Sequence, residues 1–316
     1  VERSRGLGDV YKRQVIRSAN MRKLLFIITI IILSIVVSAC GNETKRDIKQ
    51  FESQYKEIHQ KQHRVEKVMD KIPLKELDNL SKTDTTDKNK KEFRALQQDI
   101  NNYLIPEFKK YKNSTQHLTA DTNEVKHLKE DYLKTVENKE KSIYDLKEFV
   151  DLCNRSIKDN EDILDYTKLF EKNRTEVESD INKAQNKEDA SQLKSKLEEN
   201  NQQLKDTAKK YLNSSNNDSD SAKEAIKDHI SPLIDKQITD INKTNISDNH
   251  VDNARKNAIE MYYSLQNYYD TRVDTIKTSE KLAQIDVDRL PKEGKDISEM
   301  DKSFKREFKK IKESVN

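Results

Sequence analysis

The stretch that decides the fold is IYDLKEFVDLCNRSIKDNEDIL, residues 143–164. It lies within a longer segment, residues 119–212, that contains neither Gly nor Pro. Its apolar side chains recur with heptad spacing, which aligns them along one side of a helix. The residues in this heptad frame are Ile143, Leu146, Val150, Cys153, Ile157 and Leu164.

The heptad frame continues towards the N-terminus but is interrupted by polar residues. An imperfect apolar seam of this kind favours a helical bundle over a simple two-chain coiled coil. Because Cys153 is a seam residue, we interpret it as a small core side chain. The residues that extend the frame are Val125, Tyr132 and Val136, and the polar ones within it are Lys129, Lys139 and Asn160.

The Gly- and Pro-free segment is too long for one helix of an ordinary domain. At about 1.5 Å per residue, 94 residues would span more than about 130 Å. We therefore expect a reversal, and two positions fit it. Residues 175–178 (TEVE) resemble a capping box, and residues 186–189 (NKED) are the other plausible turn.

Composition excludes most other fold classes. Charged residues make up 37% of the 316-residue chain, apolar residues 33%, and there are only four Gly and four Pro. Sandwiches, barrels and doubly wound sheets need many more turn-forming residues than this. The chain has no G-x-S-x-G, Walker, Gly-rich dinucleotide or Cys-x-x-C motif, and we expect it not to be an enzyme and to need no cofactor.

The remaining apolar periodicities predict further helices. Together they predict an all-α, elongated, up-and-down helical bundle with a four-helix core and long coiled-coil-like helices. We assign residues 46–240 to this bundle and residues 241–316 to a Tyr-rich and basic helical extension. The predicted helices are 46–72, 88–117 with a kink at Pro106, 222–241 with a kink at Pro232, one after the polar break 242–248, and one from Ser298.

The N-terminal region has the features of a targeting segment. Arg22 and Lys23 precede an apolar run, residues 24–37, that has the length of a secretory h-region and is too short to span a membrane. The run ends in VSACG, residues 37–41, which resembles a lipobox. We therefore predict that Cys40 receives a diacylglyceryl group and anchors the protein, because two acyl chains give stable membrane attachment.

These features divide the N-terminal region into three parts. Residues 1–20 lack periodicity and look like a non-native leader, and residues 21–39 form the predicted lipoprotein signal peptide. Residues 40–45 are the predicted lipidated tether. We expect the protein at the extracellular face of the cytoplasmic membrane.

The net charge of the chain is +3, and its positive sign is due to the leader and the signal peptide. Without the first 39 residues the chain carries 53 basic and 55 acidic residues, mixed along the predicted helices. A nucleic-acid-binding protein needs a concentrated positive face, so we expect no nucleic-acid partner. We also expect no small-molecule substrate.

Two surfaces are candidates for ligand contact. Tyr262, Tyr263 and Tyr269 belong to a cluster of Tyr residues on one predicted helix, and exposed Tyr rings stack on sugars or contact proteins. Lys305 and Lys309 belong to a basic helix face that could lie on anionic lipid or teichoic acid. Packing of the Tyr rings against a neighbouring helix and ordinary solvation of the Lys face are the alternatives.

The histidines do not predict a metal site. His59 and His63 are four residues apart, but the intervening residues provide no Glu of the H-E-x-x-H type. The Glu-x-x-His spacing of Glu124 and His127 occurs once, whereas di-iron bundles need it twice. We interpret them as surface residues and expect no bound metal.

The layout resembles the YkyA family of cell-wall-binding lipoproteins from low-GC Gram-positive bacteria, and its Lys-, Asn- and Ile-rich composition is similar to that of staphylococcal proteins. The resemblance rests on the lipobox Cys40, the residues Gln50-Phe51-Glu52 with Tyr55, and YLIP at residues 103–106. It covers roughly residues 21–240 and implies a four-helix bundle without catalytic residues.

These observations favour a non-enzymatic, membrane-anchored lipoprotein. We expect its bundle to bind peptidoglycan, teichoic acid or another envelope component. Two alternatives remain open: an accessory or regulator of a cell-wall hydrolase, and a self-associating structural spacer.

Overall fold

The protein is all-α, as predicted. The computed structural model describes residues 42–74, 77, 87–212 and 218–315, and these residues contain no strand. Cys40, the leader 1–20 and the signal peptide 21–39 lie outside the described residues, as does most of the polar linker 213–219. No helix in the described ranges has both the length and the apolar character needed to cross a membrane.

The helices begin and end close to the predicted positions. Two pairs of consecutive helices are each joined by a five-residue π-turn, and a short 3₁₀ turn, Val287–Arg289, follows the eighth helix. The described helices are α1 (42–69), α2 (Asp87–Asp99), α3 (Ile105–Thr115), α4 (Asn123–Lys183), α5 (Lys187–Tyr211), α6 (Ser219–Ala225), α7 (Ser231–Asn242), α8 (Asn249–Gln284), α9 (Gly294–Glu299) and α10 (Lys302–Ser314).

The helices form two compact units that do not follow the order of the chain. Unit 1 contains the described residues up to Leu74, then Asn101–Ile143 and the C-terminal segment from Pro291. Unit 2 contains the described residues within Lys75–Ile100 and Tyr144–Leu290. The domain boundary that we predicted after residue 240 therefore falls inside unit 2, and α9 and α10 belong with α1.

Helix α4 follows the predicted heptad, and most of its seam is buried. Val125, Ile143 and Val150 are fully inaccessible, whereas Leu164 at the end of the frame is 59% exposed. The reversal occurs at the second of the two predicted positions, because α4 continues through residues 175–178 to Lys183. Asn186 then caps α5 by accepting hydrogen bonds from the backbone N–H groups of residues 188 and 189.

The two prolines inside predicted helices are each accommodated by a π-turn. Ile100–Leu104 precedes Pro106, and Ile226–Ile230 precedes Pro232. Proline lacks an N–H and its ring clashes with the carbonyl four residues earlier. A π-turn widens the backbone by one residue just before that position, so the chain stays helical. In the second turn the Ser231 N–H donates to the Ile226 carbonyl, five residues back.

These two π-turns belong to an internal repeat that the sequence alone did not reveal. At a constant offset of 126 residues, Pro106 corresponds to Pro232, and the first residue of α4, Asn123, corresponds to that of α8, Asn249. Residues that correspond at this offset are also buried in both repeats. The equivalent buried pairs are Ile100 with Ile226, Leu104 with Ile230, Phe108 with Ile234, Val125 with Val251, Leu128 with Ala254, Tyr132 with Ala258 and Val136 with Tyr262.

The helix that opens each repeat carries the same carboxylate contact. Asp47 Oδ2 in α1 accepts hydrogen bonds from the N–H groups of Asp121 and Thr122, at 2.9 and 2.7 Å. Asp189 Oδ2 in α5 accepts them from the equivalent residues Ser247 and Asp248, at 2.8 and 2.9 Å. Each carboxylate thus satisfies backbone donors where the next long helix begins. Because Asp47 and Asp189 make the same contact, we take them as equivalent, and α1 then corresponds to α5 at an offset of 142 residues.

The position of Cys153 leads to a testable expectation. Burial raises the pKa of its thiol to about 12, so at pH 8 only about one molecule in ten thousand carries the reactive thiolate. We expect a disulfide reagent to modify native protein at least 100-fold more slowly than urea-unfolded protein, measured by absorbance at pH 8. Equal rates in the two states would show that Cys153 is accessible.

Candidate functional site

The described part of unit 2 contains an apolar groove of about 560 Å³. We call it the unit 2 groove; its walls are residues 170–182 of α4, residues 194–204 of α5 and residues 261–265 of α8. Its apolar lining residues are Phe170, Val177, Ile181, Leu197, Leu204, Met261, Tyr262 and Leu265. A volume of this size and an apolar lining with polar groups at the edge are typical of ligand sites.

The reversal between α4 and α5 lies beside the start of α8. Asp248 Oδ2 accepts hydrogen bonds from the N–H groups of Gln185 and Asn186, at 2.7 and 2.8 Å, which fixes the turn against the start of α8. Its other oxygen caps α8 by accepting from His250 and Val251. These bonds to backbone donors lower the pKa of Asp248 to about 2, so the contact persists across the physiological pH range.

Tyr262 forms part of the inner wall of the groove and is only 3% exposed. Burial raises its pKa to about 12, an effect that the neighbouring Asn200 partly offsets. Two buried amide atoms in the same unit have no hydrogen-bond partner among the described residues, Asn200 Nδ2 and Gln237 Oε1. Neither Asn200 nor Gln237 is among the residues that line the groove.

The other predicted Tyr residues lie apart from one another. Tyr263 is 46% exposed and does not line the groove, so its ring is free to contact a ligand elsewhere on α8. Tyr269 is partly buried and packs against the core of unit 2, while Tyr268 contacts it edge to face at 5.3 Å. Of the Tyr cluster, Tyr262 thus lines the groove, Tyr263 is exposed and Tyr269 packs against the core.

In unit 1 the basic helix α10 packs antiparallel against α1. Phe304 lies 5.1 Å from Tyr55 and 4.6 Å from Tyr132, measured between ring centroids, and Phe308 lies 5.9 Å from Phe51. Nearer the C-terminus, Lys312 Nζ donates to Glu52 Oε1 at 2.6 Å. The C-terminal end of α10 therefore lies beside the first turns of α1.

The predicted contact residues Lys305 and Lys309 are on the outer side of α10. Lys305 is 42% exposed and lies 3.8 Å from Asp301, and Lys309 is 77% exposed and lies 3.7 Å from Glu313. The Lys309–Glu313 pair is exposed on both sides, so it contributes little and is screened by salt, whereas the partner of Lys305, Asp301, is fully buried. Since α10 holds six basic and two acidic residues, its outer face keeps a positive surplus.

One of the polar residues of the heptad, Lys139, forms a fully buried ion pair. Its ammonium donates to Asp301 Oδ1 at 2.5 Å, and neither side chain has any exposed surface. Gln62 Nε2 donates to the second oxygen of Asp301 at 2.6 Å and to Glu66 at 2.8 Å. Burial lowers the pKa of Lys139, whereas Asp301 opposes this effect. The pair joins α4 to the residue that precedes α10.

The two α1 histidines lie beside this network. The rings of His59 and His63 are 4.5 Å apart, and His63 Nδ1 contacts Glu66 Oε2 at 2.6 Å. Burial, followed by the charge of His63, lowers the pKa of His59. Among the described residues no group of three or more His, Cys, Asp and Glu is arranged to hold a metal ion.

Comparison with known protein families places the chain among the lipoproteins. The family model of EMYY-motif containing lipoproteins matches residues 21–312, and the chain belongs to this family. The letters E-M-Y-Y occur at Glu260–Tyr263 of α8, and the middle two residues, Met261 and Tyr262, line the unit 2 groove. The match supports the predicted lipoprotein class but not the YkyA family specifically. No curated protein matches the chain, and neither does any solved structure.

The groove was not predicted from the sequence, although one of its lining residues, Tyr262, was a predicted contact residue. Tyr262 attracted attention as part of a Tyr cluster, but its partners Phe170, Leu197 and Met261 come from three helices. The signal that could have pointed to them is the weak repeat, which aligns the α8 and α5 walls with α4 and α1. Similarly, Lys139 stood out only as an irregularity in the heptad.

The buried ion pair gives a prediction about stability. Asp301→Ala leaves the Lys139 ammonium buried without its partner, and we expect the free energy of unfolding to fall by about 3–5 kcal/mol. Adding Lys139→Met should recover most of this loss, because Leu265 occupies the equivalent position in the second repeat. Urea unfolding followed by circular dichroism measures both. A double variant no more stable than Asp301→Ala would contradict the assignment.

Proposed function

We propose that this lipoprotein is a non-enzymatic envelope-binding protein, held by acylated Cys40 at the extracellular face of the cytoplasmic membrane. Its proposed ligand is a phosphate-rich polyanion, either teichoic acid in the wall or the headgroups of anionic lipids. The wall-binding part of this proposal also draws on the resemblance to the YkyA lipoproteins. The signal peptide 21–39 and its cleavage before Cys40 are part of the same proposal.

The observation that carries the proposal is the antiparallel packing of α10 on α1. The Lys312–Glu52 bond brings the basic end of α10 beside the first turns of α1, a few residues after the proposed anchor. Those first turns add exposed cations of their own. The cationic face defined in this way consists of Arg46, Lys49, Lys309, Lys310 and Lys312.

The cationic face has the properties expected for polyanion binding. Lys309 and Lys310 are 77% and 63% exposed, and both belong to helix-surface pairs that salt and competing anions weaken. A lipid anchor raises the local concentration of headgroups and wall polymer, so even weak contacts become occupied. Basic residues beside a lipid anchor also attract anionic membrane surfaces.

The test uses the chain from Gly41, which keeps every described residue. We expect it to sediment with wall sacculi that carry teichoic acid or with vesicles containing phosphatidylglycerol, and to be released as salt rises. Reversal of Arg46, Lys49, Lys309 and Lys310 to Glu should reduce retention at least tenfold at low salt. The two particle types separate teichoic acid from lipid as the source of phosphate.

A matched control reverses four exposed cations of unit 1 that are distant along the helices from the proposed anchor: Arg64, Lys67, Lys134 and Lys141. We expect this variant to bind within twofold of the unchanged chain. Equal loss in both variants would mean that net charge alone governs binding. Salt-resistant retention on sacculi stripped of teichoic acid would point to peptidoglycan and overturn the cationic-face proposal.

A further inference from the structure

Another pocket lies in unit 1, where the first π-turn faces α1. We call it the π-turn pocket; its volume is about 380 Å³, and all of its lining residues belong to unit 1. One wall consists of α1 residues within 64–68, and the other of residues within 102–110, from the π-turn and α3. The volume is that of a site for a small ligand, and π-turns are frequent at functional sites.

The π-turn pocket has a positive surplus. Its acidic lining residue, Glu107, is already bonded, because Lys110 Nζ donates to Glu107 Oε1 at 2.5 Å. Arg64 and Lys67 are exposed, lie three residues apart on one side of α1, and form no ion pair with any described residue. A guanidinium binds a carboxylate through two parallel hydrogen bonds, so Arg64 offers the pocket a directional anion contact.

The opposite wall presents a flat apolar surface. The Tyr103 ring is 59% exposed although it belongs to the π-turn, and Pro106 follows it on the same wall. Rings of this kind pack against the C–H face of a sugar. Asn102, also exposed in this wall, adds an amide that can both donate to and accept from hydroxyl groups.

The internal repeat shows what the ring at this position does when it has a partner. At the offset of 126 residues Tyr103 corresponds to His229, whose ring stacks on Tyr211 with centroids 3.7 Å apart and planes 14° apart. At the offset of 142 residues Tyr211 corresponds to Met69, which is fully buried. The face that His229 uses for stacking is therefore left open on Tyr103.

We infer that the π-turn pocket binds a sugar that carries a carboxylate, such as a uronic acid, with the sugar ring on Tyr103 and the carboxylate on Arg64. Lys67 adds to the attraction of the anion, and the Asn102 amide contacts hydroxyl groups. A neutral sugar leaves both cations unused, and glycerol phosphate has no ring to lie on Tyr103. The inference is independent of the polyanion proposal, because the particles of that test present phosphate groups.

The experiment uses the chain from Gly41 with Tyr103→Trp, which keeps an aromatic ring in the wall. Because the chain has no Trp, the indole emission reports this pocket alone. We expect D-glucuronate to change the emission saturably, at concentrations at least tenfold lower than methyl glucoside or glycerol 3-phosphate. An oligogalacturonate separates the two sources of a uronic acid: tighter binding than the monomer indicates a polysaccharide, and equal binding a free sugar acid.

Further variants, measured by calorimetry against the unchanged chain, identify the contacts. Tyr103→Ala and Arg64→Gln each remove one contact from an exposed position, so we expect unchanged thermal unfolding and at least tenfold weaker binding of glucuronate. Two matched controls should bind within twofold. Tyr263→Ala removes an exposed ring from unit 2, and Lys109→Gln removes an exposed cation next to Lys110 that does not line the pocket.

Four outcomes would overturn the inference. One is the absence of saturable glucuronate binding, and another is equal binding of methyl glucoside or glycerol 3-phosphate. The third is an equal affinity of Tyr103→Ala and the unchanged chain. The fourth is a Glu-Tyr-Glu peptide that binds more tightly than the oligogalacturonate, because the pocket would then recognise an acidic protein segment. Reversal of Lys309 and Lys310 should leave glucuronate binding within twofold, which separates this result from the polyanion test.

Discussion

The buried contact between Lys139 and Asp301 is the interaction on which the arrangement of unit 1 depends. Two charges without solvent exposure are costly unless they meet each other and their remaining hydrogen-bonding groups are satisfied. Here Gln62 takes the second carboxylate oxygen, so α1, α4 and the start of α10 share one polar network. The aromatic contacts of Phe304 then follow, because α10 begins at the residue after Asp301.

A close approach of the backbone supports the same arrangement. Gly294, the first residue of α9, lies so near α1 that a Cβ atom there would be 2.6 Å from the Glu66 carbonyl oxygen. Its N–H donates to Asp70 Oδ1 at 2.8 Å. A glycine at this position lets the C-terminal segment return to α1, which in turn lets α10 approach the first turns of the chain.

The helices could be predicted from sequence because their signals are local. Heptad spacing, the absence of Gly and Pro from 119–212, and Asn186 as a cap each act within a few residues. The division into units could not be predicted, because it depends on contacts such as Lys139 with Asp301, 162 residues apart. Tyr262 could be selected as one of a Tyr cluster, but its burial depends on packing against other helices.

The repeat places equivalent surfaces in both halves, and a different helix packs on that surface in each: α10 in unit 1 and the second half of α4 in unit 2. Equivalent positions keep their burial where they build the helix pairs, as with Val125 and Val251. They differ where the fourth helix packs: Lys139 corresponds to Leu265, and Gln62 to Leu204. In unit 1 the polar residues Gln62 and Lys139 both donate to Asp301, and these bonds fix the start of α10. In unit 2 the corresponding residues are apolar, and the second half of α4 packs against the same core through Val177 and Ile181.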